Sequence, residues 1–223
     1  PDGRSARLLL MSLNTNPTAV EPFAKCRHLA ESRWAVWALL ALCLLMFVPG
    51  IAPFPVTDRD EARYAQASEQ MAQTGDYVHI RFQNGPRDKK PVGIYWLQAA
   101  TVQLTGELGS GAIWPYRLPS LVGASLAVLL LFALARPAIG PPTAFLAAGL
   151  LAACVLAASE ARLAKTDACL LATAVAAQMA LIRIYLARCE GGAPALGLAA
   201  LFWIAEGAAI LIKGPVVPFI SLL

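Results

Sequence analysis

Four long segments of this chain contain no Asp, Glu, Lys or Arg: Trp34 to Thr57, Leu118 to Ala135, Pro137 to Ser159 and Gly191 to Ala205. A hydrocarbon core about 30 Å thick takes roughly 20 apolar helical residues to cross, so runs of this kind mark membrane spans. The composition agrees, with 58% hydrophobic against 14% charged residues over 223 positions, far from the balance of a soluble domain. The fold class that follows is an all-α polytopic membrane protein.

The first span is expected from about Trp34 to Phe54, kinked near Pro49 and Gly50. A signal peptide is the competing reading, but the run is long, starts late and lacks a small-residue cleavage site. A second span begins at Tyr116 and Arg117 and ends at Arg136. The third runs from Pro141 to Ser159, the fourth from Asp167 to Ala187 and the fifth from Ala195 to Ile212, with Glu206 inside it. A sixth begins at Pro215 and is cut at Leu223. Because Pro1 is not an initiator methionine, the chain reads as a fragment of a longer protein, with Met11 a candidate start.

The net charge of +4 raises nucleic acid as a partner, but the cations sit at span ends and in one loop. No basic stripe interleaves with exposed aromatics, so nucleic acid is not expected. The cysteines (Cys26, Cys43, Cys154, Cys169, Cys189) have no CxxC spacing and read as buried small hydrophobes. His28 and His79 are too isolated to form a zinc site.

Most of the polar chemistry lies in one loop, 55–115, which is too long for an ordinary connection. Thr57 or Asp58 is placed to cap a helix from Arg59 to Thr74, with Tyr64, Ala67, Ser68, Met71 and Ala72 on one face and Gly75 ending it. Tyr77 to Phe82 alternates like a short extended segment, and Asn84-Gly85 reads as a turn. Val92 to Gly106 is apolar but too short to span, and belongs along the membrane interface. The short loops carrying Arg136, Arg183 and Arg188 share a side with the basic N-terminal tail, which puts residues 1–33 in the cytoplasm. Residues 34–223 then form one transmembrane domain with its first loop, 55–115, on the external face of a plasma (inner) membrane.

With that parity, three polar clusters emerge externally. Charges at membrane depth are costly, so their convergence on one face favours a site. The acidic cluster is Asp58, Asp60 and Glu61, which can take a proton from an attacking hydroxyl or hold a metal; its plainer reading is an N-cap that complements the helix dipole. The basic cluster is Arg81, Arg87, Lys89 and Lys90, ahead of Tyr95-Trp96. It suits a phosphate whose lipid tail lies in the bilayer, or, more plainly, a headgroup anchor with an aromatic belt. The third cluster, Glu160, Arg162, Lys165 and Asp167, is either part of the site or a solvated turn. Lys213 either snorkels or adds a phosphate contact. Glu206, about 10 Å below it by helix rise, reaches it only through an intermediary.

Together these segments resemble a known family. Asp60-Glu61-Ala62-Arg63-Tyr64-Ala65, Gly75-Asp76-Tyr77 and Lys90-Pro91 with Tyr95-Trp96 are similar to the first external loop of membrane glycosyltransferases related to aminoarabinose transferase and protein O-mannosyltransferase. Arg117-Leu118-Pro119-Ser120, Ala161-Arg162-Leu163-Ala164-Lys165-Thr166-Asp167 and Lys213-Gly214-Pro215 resemble its later motifs in the same order. The resemblance implies a GT-C-type transmembrane helical domain with interfacial helices in its first external loop. It also implies a polyprenyl-phosphate sugar donor, a lipid, glycan or protein acceptor, and surrounding membrane lipids.

By carry-over, Asp60 and Asp167 are the candidate catalytic carboxylates and Lys90 a contact to the lipid phosphate, assisted by Lys213. Arg63, Tyr64, Glu61, Arg81, Arg162 and Lys165 complete the candidate substrate contacts. In aminoarabinose transferases the residue before Lys-Pro is acidic and linked to a divalent metal, whereas here it is Lys89, which cannot be a ligand. No cofactor is therefore assigned, and the sugar stays open. The rival reading is a nonenzymatic polyprenyl-lipid carrier-binding protein or a transporter, which would set its polar residues near the midplane and often in paired halves.

Overall fold

The computed structural model describes residues 27–87, 89–193 and 195–223, so the expectations for Met11 and Cys26 lie outside the described residues. Helix α1 (Ala35–Phe47) leads into a loop that carries α2 (Arg59–Thr74), a hairpin of β1 (Arg81–Phe82) and β2 (Gly85–Pro86), and α3 (Gly93–Thr105). Then follow α4 (Trp114–Ile139), α5 (Pro141–Ala152), α6 (Val155–Glu160), α7 (Asp167–Cys189), α8 (Leu196–Lys213) and α9 (Val216–Leu222). Helices α4, α7 and α8 are long and apolar enough to cross a bilayer, and α1 and α5 are shorter apolar helices. The chain is a multi-pass helical membrane protein.

Two expected spans are divided. The first ends at Phe47, because Pro49 has no N–H to continue the ladder and the chain turns at Gly50. The third is two helices, α5 and α6, separated where Cys154 takes an extended backbone; no Pro or Gly stands there to explain the break.

Helix α4 packs against α1, α3, α5 and α7, and α7 against α8. Many of the buried positions are alanine, among them Ala124, Ala144, Ala148, Ala168, Ala176 and Ala209. Lipid tails are as apolar as a core, so helices in a membrane associate through close van der Waals contact, which small residues allow. Gly123 marks one close approach: a Cβ there would lie 2.9 Å from the Cys169 Cα. Cys43 and Cys169 are buried as expected, whereas Cys154 and Cys189 are exposed on the protein surface. Glu206 accepts a hydrogen bond from Ser221, which also accepts from Gln178 at 2.7 Å, and among the described residues it forms no ion pair.

Helix α2 forms over the expected residues. Asp58 caps it by accepting the Asp60 N–H at 2.7 Å, and Gly75 closes it with its N–H on the Met71 carbonyl. Its inner face is Glu61, Tyr64, Ala65, Ser68, Met71 and Ala72, which packs on α3 through a Tyr64–Tyr95 ring contact at 5.4 Å and a Ser68–Gln98 hydrogen bond at 2.7 Å.

One buried ion pair ties these loop helices to the bundle. Arg117, in the first turn of α4 and 1% exposed, donates from Nε to Glu61 Oε1 at 2.8 Å and from Nη2 to Oε2 at 3.1 Å. Its Nη1 donates to the carbonyls of Ile51 and Phe54, both at 2.8 Å, which the break after α1 left without helical partners. Glu61 Oε1 also accepts the Ala164 N–H at 2.9 Å. The turn that carries Ala164 is held at further points: Lys165 pairs with Asp58, the Lys165 carbonyl accepts from Ser120 at 3.1 Å, and Asp167 pairs with Lys213.

Replacing one partner of such a pair strands the other. Arg117→Leu leaves a fully buried carboxylate with only the Ala164 N–H as donor, and two carbonyls with none, and is expected to cost about 3–5 kcal/mol. Unfolding of the protein in bilayers measures this, and a variant as stable as wild type would contradict the assignment. The cap pair makes a second prediction. Lys165 beside Asp58 holds that carboxyl below its ordinary value, so its ionised form contributes stability in full above about pH 4. The contribution is lost as pH falls through the lowered value. Asp58→Asn should therefore flatten the acid side of the stability curve below about pH 4; identical acid limbs in the two proteins would rule the pair out as a determinant.

Candidate active site

The pairings just described bring two of the three expected polar clusters, together with Lys213, to one end of the bundle. The start of α2 supplies Asp58, Asp60 and Glu61, the turn before α7 supplies Lys165 and Asp167, and the end of α8 supplies Lys213. The segment with Lys90 joins them because Gly93, at the first position of α3, touches the backbone of Leu211 in the last turn of α8. A Cβ at Gly93 would sit 2.6 Å from the Leu211 carbonyl oxygen, so only glycine permits that approach.

The expected residues take different places within this end. Asp60 is open to solvent and its only charged contact among the described residues is Arg63, at 3.5 Å. Lys90 is half-buried. Tyr64 is buried with its hydroxyl pushed up to about 12, first by burial and then by repulsion from Tyr95, so it remains a neutral donor at physiological pH. Asp167 and Lys213 pair with each other, which places a carboxylate at the N-terminus of α7, where the helix dipole also favours it.

Glu61 and Arg162, expected as substrate contacts, are engaged within the protein. Glu61 is 0% exposed with both oxygens bonded, and Arg162 donates to the carbonyl of Ala158 at 3.2 Å and to that of Met46 near the end of α1. Both therefore position other segments. Arg81 stands apart on the hairpin, exposed and without a side-chain partner among the described residues.

Sequence reasoning did not place Arg117 in the site's scaffold, and it named Arg87 only within the basic cluster that suits a phosphate, not among the substrate contacts carried over from the resemblance. A usable signal for the first existed. The buried stripe on α2 extends back from Tyr64 by three residues to Glu61, and an acid on a buried face requires a cation.

Beside the charged end lies an apolar groove of about 330 Å³ between α3, α4, α7 and α8, lined by Leu97, Thr101, Leu118, Pro119, Cys169 and Ile212 among others. The resemblance also raises a divalent metal. Lys89 occupies the position where an acid would be needed, and among the described residues no three His, Cys, Asp or Glu side chains are grouped closely enough to share an ion.

Comparison with known proteins agrees with this architecture. The chain is 32% identical over 138 residues to the undecaprenyl phosphate-alpha-4-amino-4-deoxy-L-arabinose arabinosyl transferase 2 of Pseudomonas fluorescens (strain Pf0-1), covering 61% of this chain and 24% of that protein. It is 34% identical over 121 residues to the corresponding transferase of Pseudomonas aeruginosa (strain UCBPP-PA14), covering 54% and 21%. The matched part thus spans about a quarter of the length of these curated relatives. Among solved structures, ArnT from Cupriavidus metallidurans superposes with a TM-score of 0.70 in the apo state and 0.68 bound to undecaprenyl phosphate. Both are 24% identical, and the match covers 82% and 83% of this chain and 33% and 32% of theirs, which shows the GT-C-type fold. Residues 89–223, more than half of the chain, match the sequence profile of the dolichyl-phosphate-mannose-protein mannosyltransferases, and the chain belongs to that family.

Proposed function

We propose that this chain carries the active site of an integral-membrane glycosyltransferase that moves a sugar from a polyprenyl-phosphate donor to a hydroxyl of a lipid, glycan or protein. The observation that carries the reading is the juxtaposition at one end of the bundle of an open carboxylate, Asp60, the cation-bearing segment of Lys90, and an apolar groove. A phosphate and a hydrocarbon chain on one ligand need those last two features side by side. The names of the relatives, with undecaprenyl phosphate in each, favour the same donor class.

In this reading Asp60 accepts the proton of the acceptor hydroxyl as its oxygen attacks the anomeric carbon. The bond from that carbon to the phosphate oxygen breaks and its electron pair leaves with the phosphate. Lys90 offsets the charge that develops there, with Lys213 nearby on the same side. Attack opposite the leaving phosphate inverts the anomeric configuration. Asp167, paired with Lys213, sets the position of that lysine, and Arg63 does the same for Asp60. The groove holds the polyprenyl chain.

Residues 34–223 form the transmembrane transferase domain in this proposal, with loop 55–115 and the active site on the external, periplasmic face and residues 1–33 in the cytoplasm. The membrane is the plasma (inner) membrane, and the other partners are membrane lipids.

The test uses the full-length protein in membranes with a panel of polyprenyl-phosphate sugars. Asp60→Asn and Lys90→Ala, at equal expression, should each lower transfer by roughly 10²-fold or more. If no donor is consumed, or if both variants match wild type, the protein is a carrier-binding protein or transporter and not a transferase.

A further inference from the structure

Arg87 takes no part in the Glu61–Arg117 contact or in any ion pair among the described residues. It is nevertheless held on three sides. Its backbone N–H donates to Ile80 at 2.8 Å, closing the base of the hairpin. Its Nε donates to the Tyr95 hydroxyl at 2.8 Å, and its guanidinium carbon lies 5.5 Å from the Tyr64 ring centre and 5.8 Å from that of Phe82. Tyr64 and Tyr95 are themselves buried, so α2, α3 and the hairpin together fix the direction of the side chain.

The use of its nitrogens distinguishes this arginine from the other two that hold the fold. Arg117 and Arg162 place their terminal nitrogens on carbonyls and carboxylates of the protein. Arg87 uses Nε alone, and neither of its terminal nitrogens has an acceptor among the described residues. An arginine that serves only the fold has no reason to keep its fork empty. A guanidinium anchored through Nε and two ring faces presents two parallel donors, the geometry that phosphate accepts in bidentate fashion.

We propose that Arg87 grips the phosphate of the lipid-linked donor through its two terminal nitrogens, beside Lys90, and supplies in a fixed guanidinium the charge for which Lys89 leaves no metal ligand. This rests on the transferase reading. In the donor the phosphate is a diester with a single negative charge. When the bond to the anomeric carbon breaks, the electron pair stays on the phosphate oxygen and the acceptor's proton goes to Asp60. The product is a phosphomonoester able to carry a second charge. A bidentate cation binds that product, and the transition state leading to it, more tightly than the diester, which is the differential binding that accelerates a reaction.

The experiment measures binding of undecaprenyl phosphate, with undecaprenol as the phosphate-free control, to the full-length protein in nanodiscs. At pH 8, Arg87→Gln should weaken undecaprenyl phosphate binding by about 10- to 100-fold and leave undecaprenol unchanged. Arg87→Lys keeps the charge and loses the fork, and should recover only part; it also carries the test if Arg87→Gln fails to fold. The second ionisation of a phosphomonoester lies near pH 6, so wild type should bind more weakly at about pH 5.5 than at pH 8, and both variants should show a smaller ratio. Tyr64 and Tyr95, whose hydroxyls burial pushes upward, do not titrate in that interval, and Asp60, Lys89 and Lys90 are common to wild type and variants.

Transfer by wild type should also survive EDTA. Variants that bind like wild type, with an unchanged pH ratio, overturn the role of Arg87 while Lys90→Ala still tests the lipid-phosphate site. EDTA-sensitive transfer overturns it too. Wild type that prefers undecaprenyl phosphate no more than undecaprenol removes the transferase reading itself.

Discussion

A carboxylate and a guanidinium removed entirely from water are costly unless their lone pairs and protons find partners, and the Glu61–Arg117 pair meets that condition with the backbone of two other segments. The pair is therefore a joint as much as an interaction. The end of α1, the start of α2, the first turn of α4 and the turn before α7 must all be in register for it to close. Each segment carries or adjoins a candidate site residue, so the geometry of the site is inherited from a contact that does no chemistry.

The break after α1 follows the same logic. Pro49 ends the helix early and leaves carbonyls that water would normally satisfy. Arg117 and Arg162 donate to those carbonyls, at Ile51, Phe54 and Met46. The cost of an interrupted span is thus offset by cations that the motifs already contain. The interruption in turn lets the chain leave the bundle sideways into α2 instead of continuing along the span axis.

Much of this was legible because it is local. Charge-free runs located the spans, and the cap and closing glycine of α2 matched because capping depends on a few adjacent residues. The boundaries of α3 were close to expectation for the same reason, whereas the extended segment shrank to Arg81–Phe82 and the turn moved to Gln83-Asn84, with Gly85 in β2. What could not be read was which charge meets which. Asp58 meets Lys165, Asp167 meets Lys213 and Glu61 meets Arg117 across long sequence separations, and each residue had an equally sound local reading as a cap, a snorkelling end or a surface contact. The gap at Cys154 was invisible for a different reason, since no helix-breaking residue stands there.

Those pairings also give meaning to the charges left over. At the end of a membrane bundle an ionised side chain that the fold requires tends to be paired, because low surrounding dielectric makes an unpaired one costly. Asp58, Glu61, Lys165, Asp167 and Lys213 are all engaged in that way. Asp60 has only a 3.5 Å contact to a half-exposed arginine, Arg87 leaves its fork open, and Lys90 has no ion-pair partner among the described residues. An open carboxylate, the open fork of Arg87 and Lys90 lie at the end of the bundle that also bears the apolar groove. In the proposed transferase reading, one ligand that brings both an anion and a hydrocarbon chain meets all of them.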